Sequence, residues 1–123
     1  MQVQVNADAT IQGGDSLEAW ATEEINTKLA RLKEHVVRVE VFLTGVDALK
    51  STGGPGKKCV LETRANGRQP VAVNAEAEKV KDAFNAALEK LRRAVESDLD
   101  KVREKHGRES VRGADDAVVS AEG

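Results

Sequence analysis

The sequence predicts an α+β fold: a β-α-β-β-β-α two-layer sandwich with a four-stranded mixed sheet and both helices on one face. Three observations carry this. Four short stretches alternate apolar and polar residues with period two, two longer stretches repeat apolar residues at steps of three and four, and an Asn66-Gly67 pair separates the last two alternating stretches. The order strand, helix, three strands, helix implies a crossover from the first strand to a parallel neighbour, followed by a meander. Two amphipathic helices then bury one sheet face and leave the other open to water.

The first strand is MQVQVN, in which Val3 and Val5 alternate with Gln2, Gln4 and Asn6. Asp15, followed three positions later by Glu18, has the spacing of a capping box, and a helix is predicted from Ser16 to Glu34. Leu17, Ala21, Ile25, Leu29 and Leu32 form its apolar stripe, with Trp20 at the rim. Val37, Val39, Val41 and Leu43 form the inward face of the second strand. The glycine-rich stretch DALKSTGGPGK, residues 47–57, reads as a mobile surface loop. A phosphate-binding loop would need a glycine at Ser51 and a hydroxyl at Lys58. Cys59 and Leu61 share the inward face of the third strand, and Asn66-Gly67 is the turn of a hairpin. Pro70 places the fourth strand at a sheet edge because it cannot donate to a ladder.

The longest periodic stretch, residues 75–106, predicts one helix with Asn74 as N-cap and Gly107 just past its end. Val80, Phe84, Ala87, Leu88, Leu91, Val95, Leu99 and Val102 form its buried stripe. Lys79, Lys90, Arg93 and Lys101 line one flank of that stripe, and Lys81, Arg92 and Arg103 line the other. An acidic ridge of Asp82, Glu89, Glu96 and Asp100 runs between the two basic rows. Residues 107–123 lack periodicity and read as a disordered tail, so that a single domain covers residues 1–106.

Composition narrows the function classes. Net charge is −2, yet residues 57–106 carry twelve basic against nine acidic side chains, whereas residues 1–56 carry five against eight. An anion-binding surface is therefore expected in the second half. One cysteine, two distant histidines and no ligands at metal spacing predict no enzyme, no cofactor and no metal site. With no long apolar run, the expectation is a cytoplasmic protein without a membrane or small-molecule partner. One tryptophan and no tyrosine leave little for base stacking.

Five segments carry a resemblance to a known family: MQVQVN, TKLARLKE, VRVEVFL, KKCVLETRANGRQPVAV and AEAEKVKDAFNAALEKLRR. Together with the element order, they resemble the ribosome hibernation promoting factors. These are also called ribosome-associated translation inhibitors, ribosomal subunit interface proteins or sigma-54 modulation proteins. The resemblance implies a protein that binds the small ribosomal subunit in its mRNA/tRNA cleft and idles ribosomes under stress or in stationary phase. Carried over to matching positions, it implies that Lys28, Arg31, Lys90 and Arg93 bind rRNA, with Lys79 replacing an acidic residue of the family pattern. The chain departs from that pattern after Arg93, where Glu96, Asp98 and Asp100 occupy a usually lysine-rich run. The alternative reading is a non-catalytic protein-binding module using the open sheet face or the 45–57 loop.

Overall fold

The computed structural model describes residues 1–65 and 69–115, with the backbone alone for Ala65 and from Val102 onward. Its elements are β1 (Gln2–Ala7), α1 (Gly14–Lys28), a 3-10 turn (Ala30–Leu32), β2 (Val36–Val46), β3 (Gly56–Ala65), β4 (Val71–Ala77) and α2 (Val80–Asp115). The chain forms two compact units, Met1–Arg93 and Ala94–Gly123. In the second unit the described residues are helical to Asp115.

The sheet order is β1-β2-β3-β4, with β1 parallel to β2 and the two later pairs antiparallel. Register places the apolar positions in rows across the strands. Val3, Val39, Thr63 and Val71 form one row, Val5, Val41, Leu61 and Val73 the next, and Ala7, Leu43, Cys59 and Ala75 the third. The central members of these rows are buried, while the valines of the two edge strands are half-buried. Leu17, Ala21 and Ile25 of α1 and Ala83, Phe84, Ala87, Leu88 and Leu91 of α2 complete the core, so both helices cover this one face. Burying an aliphatic or aromatic side chain of this size is worth about 1.5–3 kcal/mol, which makes the layer contact the main source of stability.

Several boundaries differ from the sequence reading, each for a physical reason. The capping box at Asp15 and Glu18 does not form. The chain instead enters α1 through Gly13 at φ 121°, with no side-chain cap, and the Leu17 N–H donates to the Gly13 carbonyl at 3.2 Å. Asp15 then lies in the first turn, where the helix dipole favours a carboxylate. The helix stops at Lys28 rather than Glu34. Leu29 and Leu32 still reach the core, because a tighter turn, closed by the Leu32 N–H on the Leu29 carbonyl at 2.9 Å, turns both inward.

In β2 the register shifts between Val36 and Arg38. The bulge buries Val36 and leaves Val37, predicted to face inward, 46% exposed. Residues 75–77 belong to β4, not to the helix, and Asn74 pairs with Val60 instead of capping. Ladder bonds to Cys59 and burial of Ala75 outweigh the good intrinsic helix propensity of this Ala-Glu-Ala segment, an advantage of less than about 1 kcal/mol per residue. At the other end, Gly107 does not stop α2, since one helical glycine costs only about 1 kcal/mol. The Asn66-Gly67 turn and residues 116–123 lie outside the described residues.

The 47–55 segment is pinned rather than mobile. Leu49 is buried, its N–H bonds the Gly54 carbonyl at 2.6 Å, and its carbonyl receives the Gly53 N–H at 2.8 Å. The Lys50 N–H reaches Glu76 Oε1 at 3.3 Å, tying the loop to β4. The neighbouring 8–11 turn is fastened by Asp8, whose carboxylate accepts from Thr10 Oγ1, the Thr10 N–H and the Gly45 N–H. The Thr10 hydroxyl and these backbone N–H groups hold the Asp8 carboxyl below its ordinary pKa.

Candidate nucleic-acid interface

The cationic residues singled out from the sequence all lie on the helical layer or at its ends, but on different sides of it. Lys28 is the last residue of α1, where the dipole favours a cation, and its ammonium lies 3.4 Å from Glu24 one turn earlier. Arg31 projects from the 3-10 turn that follows, exposed and without an ion pair among the described residues. Lys79 is exposed immediately before α2.

On α2, Lys90 donates from Nζ to the Asn74 carbonyl at 2.8 Å. Asn74 belongs to an edge strand, so Lys90 satisfies a carbonyl at the margin of the sheet while keeping its charge near water. Arg93 is 73% exposed, and its Nε donates to Glu89 Oε2 at 3.0 Å. Glu89 receives Arg92 as well, and these two guanidinium groups, Arg92 foremost, hold its carboxyl below the ordinary carboxylate range. It therefore stays ionised at neutral pH and offsets part of the positive charge around it.

Lys81 sits on the opposite flank of α2 from Lys90. Its ammonium lies 4.9 Å from the centre of the Trp20 ring, and Trp20 meets Phe84 at 5.1 Å with the rings tilted by 57°. The aromatic pair thus joins α1 to α2 and holds a cation at the seam. The two basic flanks read from the helical wheel are real and meet different neighbours. The Lys90 flank turns to the β4 edge, and the Lys81 flank turns to α1. The sequence marks both Trp20 and Lys81 as stripe-edge residues, but no spacing rule places one over the other.

Beside this seam the starts of both helices converge, where Gln12, Gly13, Ser16 and Leu17 line a cleft with Lys79, Val80 and Lys81. The outer face of α1 has the opposite character, since Asp15, Glu18 and Glu23 line a shallow groove there with Ala19, Thr22 and Asn26. A polyanion would be repelled along most of α1 and attracted at its C-terminal end and along α2 as far as Arg93, beyond which Glu96, Asp98 and Asp100 follow. Among the described residues, no group of three or more His, Cys, Asp or Glu is placed to hold a metal ion. Among them, too, no helix is long and apolar enough to cross a membrane. Cys59 is buried, and that burial pushes its thiol up to about 12, the character of a packing residue and not of a nucleophile.

Two solved structures share this architecture. The Thermus thermophilus Protein Y N-terminal domain superposes with a TM-score of 0.59 at 17% identity, covering 77% of this chain and 96% of that one. A ribosomal subunit interface protein from Coxiella burnetii gives 0.57 at 16% identity, covering 85% and 99%. At these identities the likeness establishes the fold. No curated protein matches the sequence. The sequence model of the family described as Sigma 54 modulation protein / S30EA ribosomal protein matches residues 3–103. On that match, which spans most of its length, the chain belongs to the Sigma 54 modulation protein / S30EA ribosomal protein family.

Proposed function

We propose that this protein associates with the ribosome and binds the small subunit in its mRNA/tRNA cleft, idling ribosomes in the cytoplasm under stress or in stationary phase. It does so by charge and shape, without catalysing a reaction. The observation that carries the reading is the set of cationic side chains on the helical layer of a chain from this family: Lys79, Lys90 and Arg93 on or beside α2, and Lys28 and Arg31 at the end of α1. Folded RNA surrounding the domain can meet both groups at once, because shape and phosphate contacts suffice without reading of bases. The acidic outer face of α1 then points away from phosphate, and Glu96, Asp98 and Asp100 limit how far the contact extends along α2.

Cosedimentation with small ribosomal subunits across a salt series tests this. The Lys90→Glu/Arg93→Glu variant removes two phosphate contacts and adds two repulsions. Its affinity should fall at least roughly tenfold at low salt, and the slope of log K against log salt should flatten by about two. The same reversal at Lys58 and Arg64, on the open sheet face, should do much less. If both variants cosediment like the wild type, or if the wild type never cosediments, the reading is wrong.

A further inference from the structure

The sheet face turned away from the helices carries a second pattern, centred on Phe42 of β2 and Val60 of β3. These two are cross-strand neighbours, both half-buried, and of the described outward-facing residues of the sheet only Gly56, at the start of β3 against Leu49, is buried. Along β3 the same face holds Lys58 two residues before Val60 and Glu62 two residues after it. Neither Lys58 nor Glu62 makes an ion pair among the described residues.

Their neighbours explain why. Lys58 stands opposite Thr44 on one side and Glu76 on the other, but the Glu76 carboxylate accepts the Lys50 N–H. Glu62 stands opposite Glu40, a like charge, and Glu40 is taken by Arg38 at 3.5 Å. Like charges placed directly opposite in a ladder are unfavourable, so this face holds charge that the chain itself does not neutralise.

We infer that this open face is a self-association surface whose occupant is a second copy of the chain, packed about a two-fold axis through the Phe42–Val60 row. Such an axis lies between the two sheets and runs across the strands. It sets Val60 on its partner's Val60 and Phe42 on its partner's Phe42, and reverses the direction of β3. Lys58 of each copy then faces Glu62 of the other, because both lie two positions from the axis on opposite sides. One surface thereby supplies an apolar centre and two equivalent ion pairs, the self-complementarity that an isologous dimer requires. The same operation sets Glu40 against Thr44 and brings no like charges of these residues together.

Four strands about 4.8 Å apart and some seven residues at about 3.3 Å each give a patch on the order of 20 Å square. That corresponds to roughly 1,000 Å² of total buried surface, the lower end of specific interfaces, so the dimer forms reversibly and weakly. The helical layer lies on the other side of the sheet, so both copies keep Lys90 and Arg93 uncovered.

Sedimentation velocity on the full chain, from low micromolar to millimolar concentration, reads the association directly. The wild type should shift from monomer to dimer as concentration rises. Lys58→Glu and Glu62→Lys should each weaken the dimer at least roughly tenfold, since each sets two like-charged pairs across the axis. An equimolar mixture of these two variants should form a heterodimer, and the Lys58→Glu/Glu62→Lys double variant should dimerise like the wild type. A zero-length carbodiimide cross-link on the unaltered protein gives an independent reading: the dimer band should contain a Lys58–Glu62 isopeptide. A wild type that stays monomeric at millimolar concentration overturns the inference, as do single reversals that dimerise normally or a mixture that does not recover. A dimer band without the Lys58–Glu62 link overturns it too.

Discussion

Gly56 opens β3 where the 47–55 loop rejoins the sheet, and replacing it with alanine puts the pinning of that loop to a quantitative test. A Cβ at Gly56 would lie 2.6 Å from both terminal methyls of Leu49 and 2.7 Å from the carbonyl oxygen of Ala77. Comfortable carbon–carbon separations are about 3.5–4.0 Å, so the added methyl overlaps each neighbour by about 1 Å. Leu49 is only 3% exposed and has little room to swing aside, and the Ala77 carbonyl belongs to a strand paired with Lys57. Overpacking of this kind costs about 1–3 kcal/mol, and the melting temperature should fall by roughly 4–12 °C. Thermal melts followed by far-ultraviolet circular dichroism of the wild type, Gly56→Ala, Leu49→Ala and the double variant form a cycle. Leu49→Ala alone should cost about 2–5 kcal/mol. If the leucine is the main obstacle, the double variant is more stable than the sum of the singles by at least about 1 kcal/mol; if the Ala77 carbonyl is, the two losses add. A Gly56→Ala protein that melts with the wild type, together with a silent Leu49→Ala, would refute the claim that this loop is anchored.

Two further substitutions probe the core. Phe84→Ala removes a ring that is 1% exposed and packs on Trp20; it should cost about 3–5 kcal/mol and change the emission of the single tryptophan in the folded state. Cys59 should resist thiol reagents at pH 9 in the native protein and react at once in denaturant, because burial lifts its pKa to about 12 from the ordinary value of 9.0. The sign follows from the raised value: the buried thiol contributes stability that is complete below pH 9 and is lost as pH rises towards 12, so Cys59→Ala should melt with a weaker alkaline dependence.

The alternation of Val39, Val41 and Leu43, and of Cys59 and Leu61, was enough to assign the buried face, because a side chain two residues on returns to the same side. It could not decide between Val36 and Val37, adjacent valines of equal hydrophobicity; the bulge depends on how β3 pairs and leaves no local mark. Residues 75–77 carry a helical signal, since Ala and Glu suit the start of a helix, whereas pairing with β3, a partner distant in sequence, makes them a strand. The anchoring role of Leu49 has no sequence signal, because a lone leucine among glycines and polar residues has no period to betray it. The basic flanks of α2 were legible from the wheel alone. Which flank faces β4 and which faces Trp20 depends on the neighbours of the helix, so Lys81 entered the surface only with the structure.

Glu89 decides how much of the positive charge on α2 reaches a polyanion. It lies between Arg92 and Arg93, with 41% of its side chain exposed, so a phosphate approaching Arg93 meets a carboxylate close behind the guanidinium. Exposed helix pairs of this type contribute little to stability, and Glu89→Gln should leave the melting temperature nearly unchanged. It should nonetheless raise affinity for small ribosomal subunits by roughly threefold for each phosphate held about 7 Å away, through loss of repulsion in a watery medium. The gain should shrink as salt rises, since the screening length falls to about 8 Å at physiological ionic strength. In the wild type the same gain should appear only at acidic pH, below the ordinary carboxylate range, because Arg92 and Arg93 hold the Glu89 pKa down. Parallel salt titrations of wild type and Glu89→Gln by cosedimentation measure both effects. If the variant binds more weakly, Glu89 must be aiming Arg93 at its target, and a simple count of charges along α2 would no longer describe the interface.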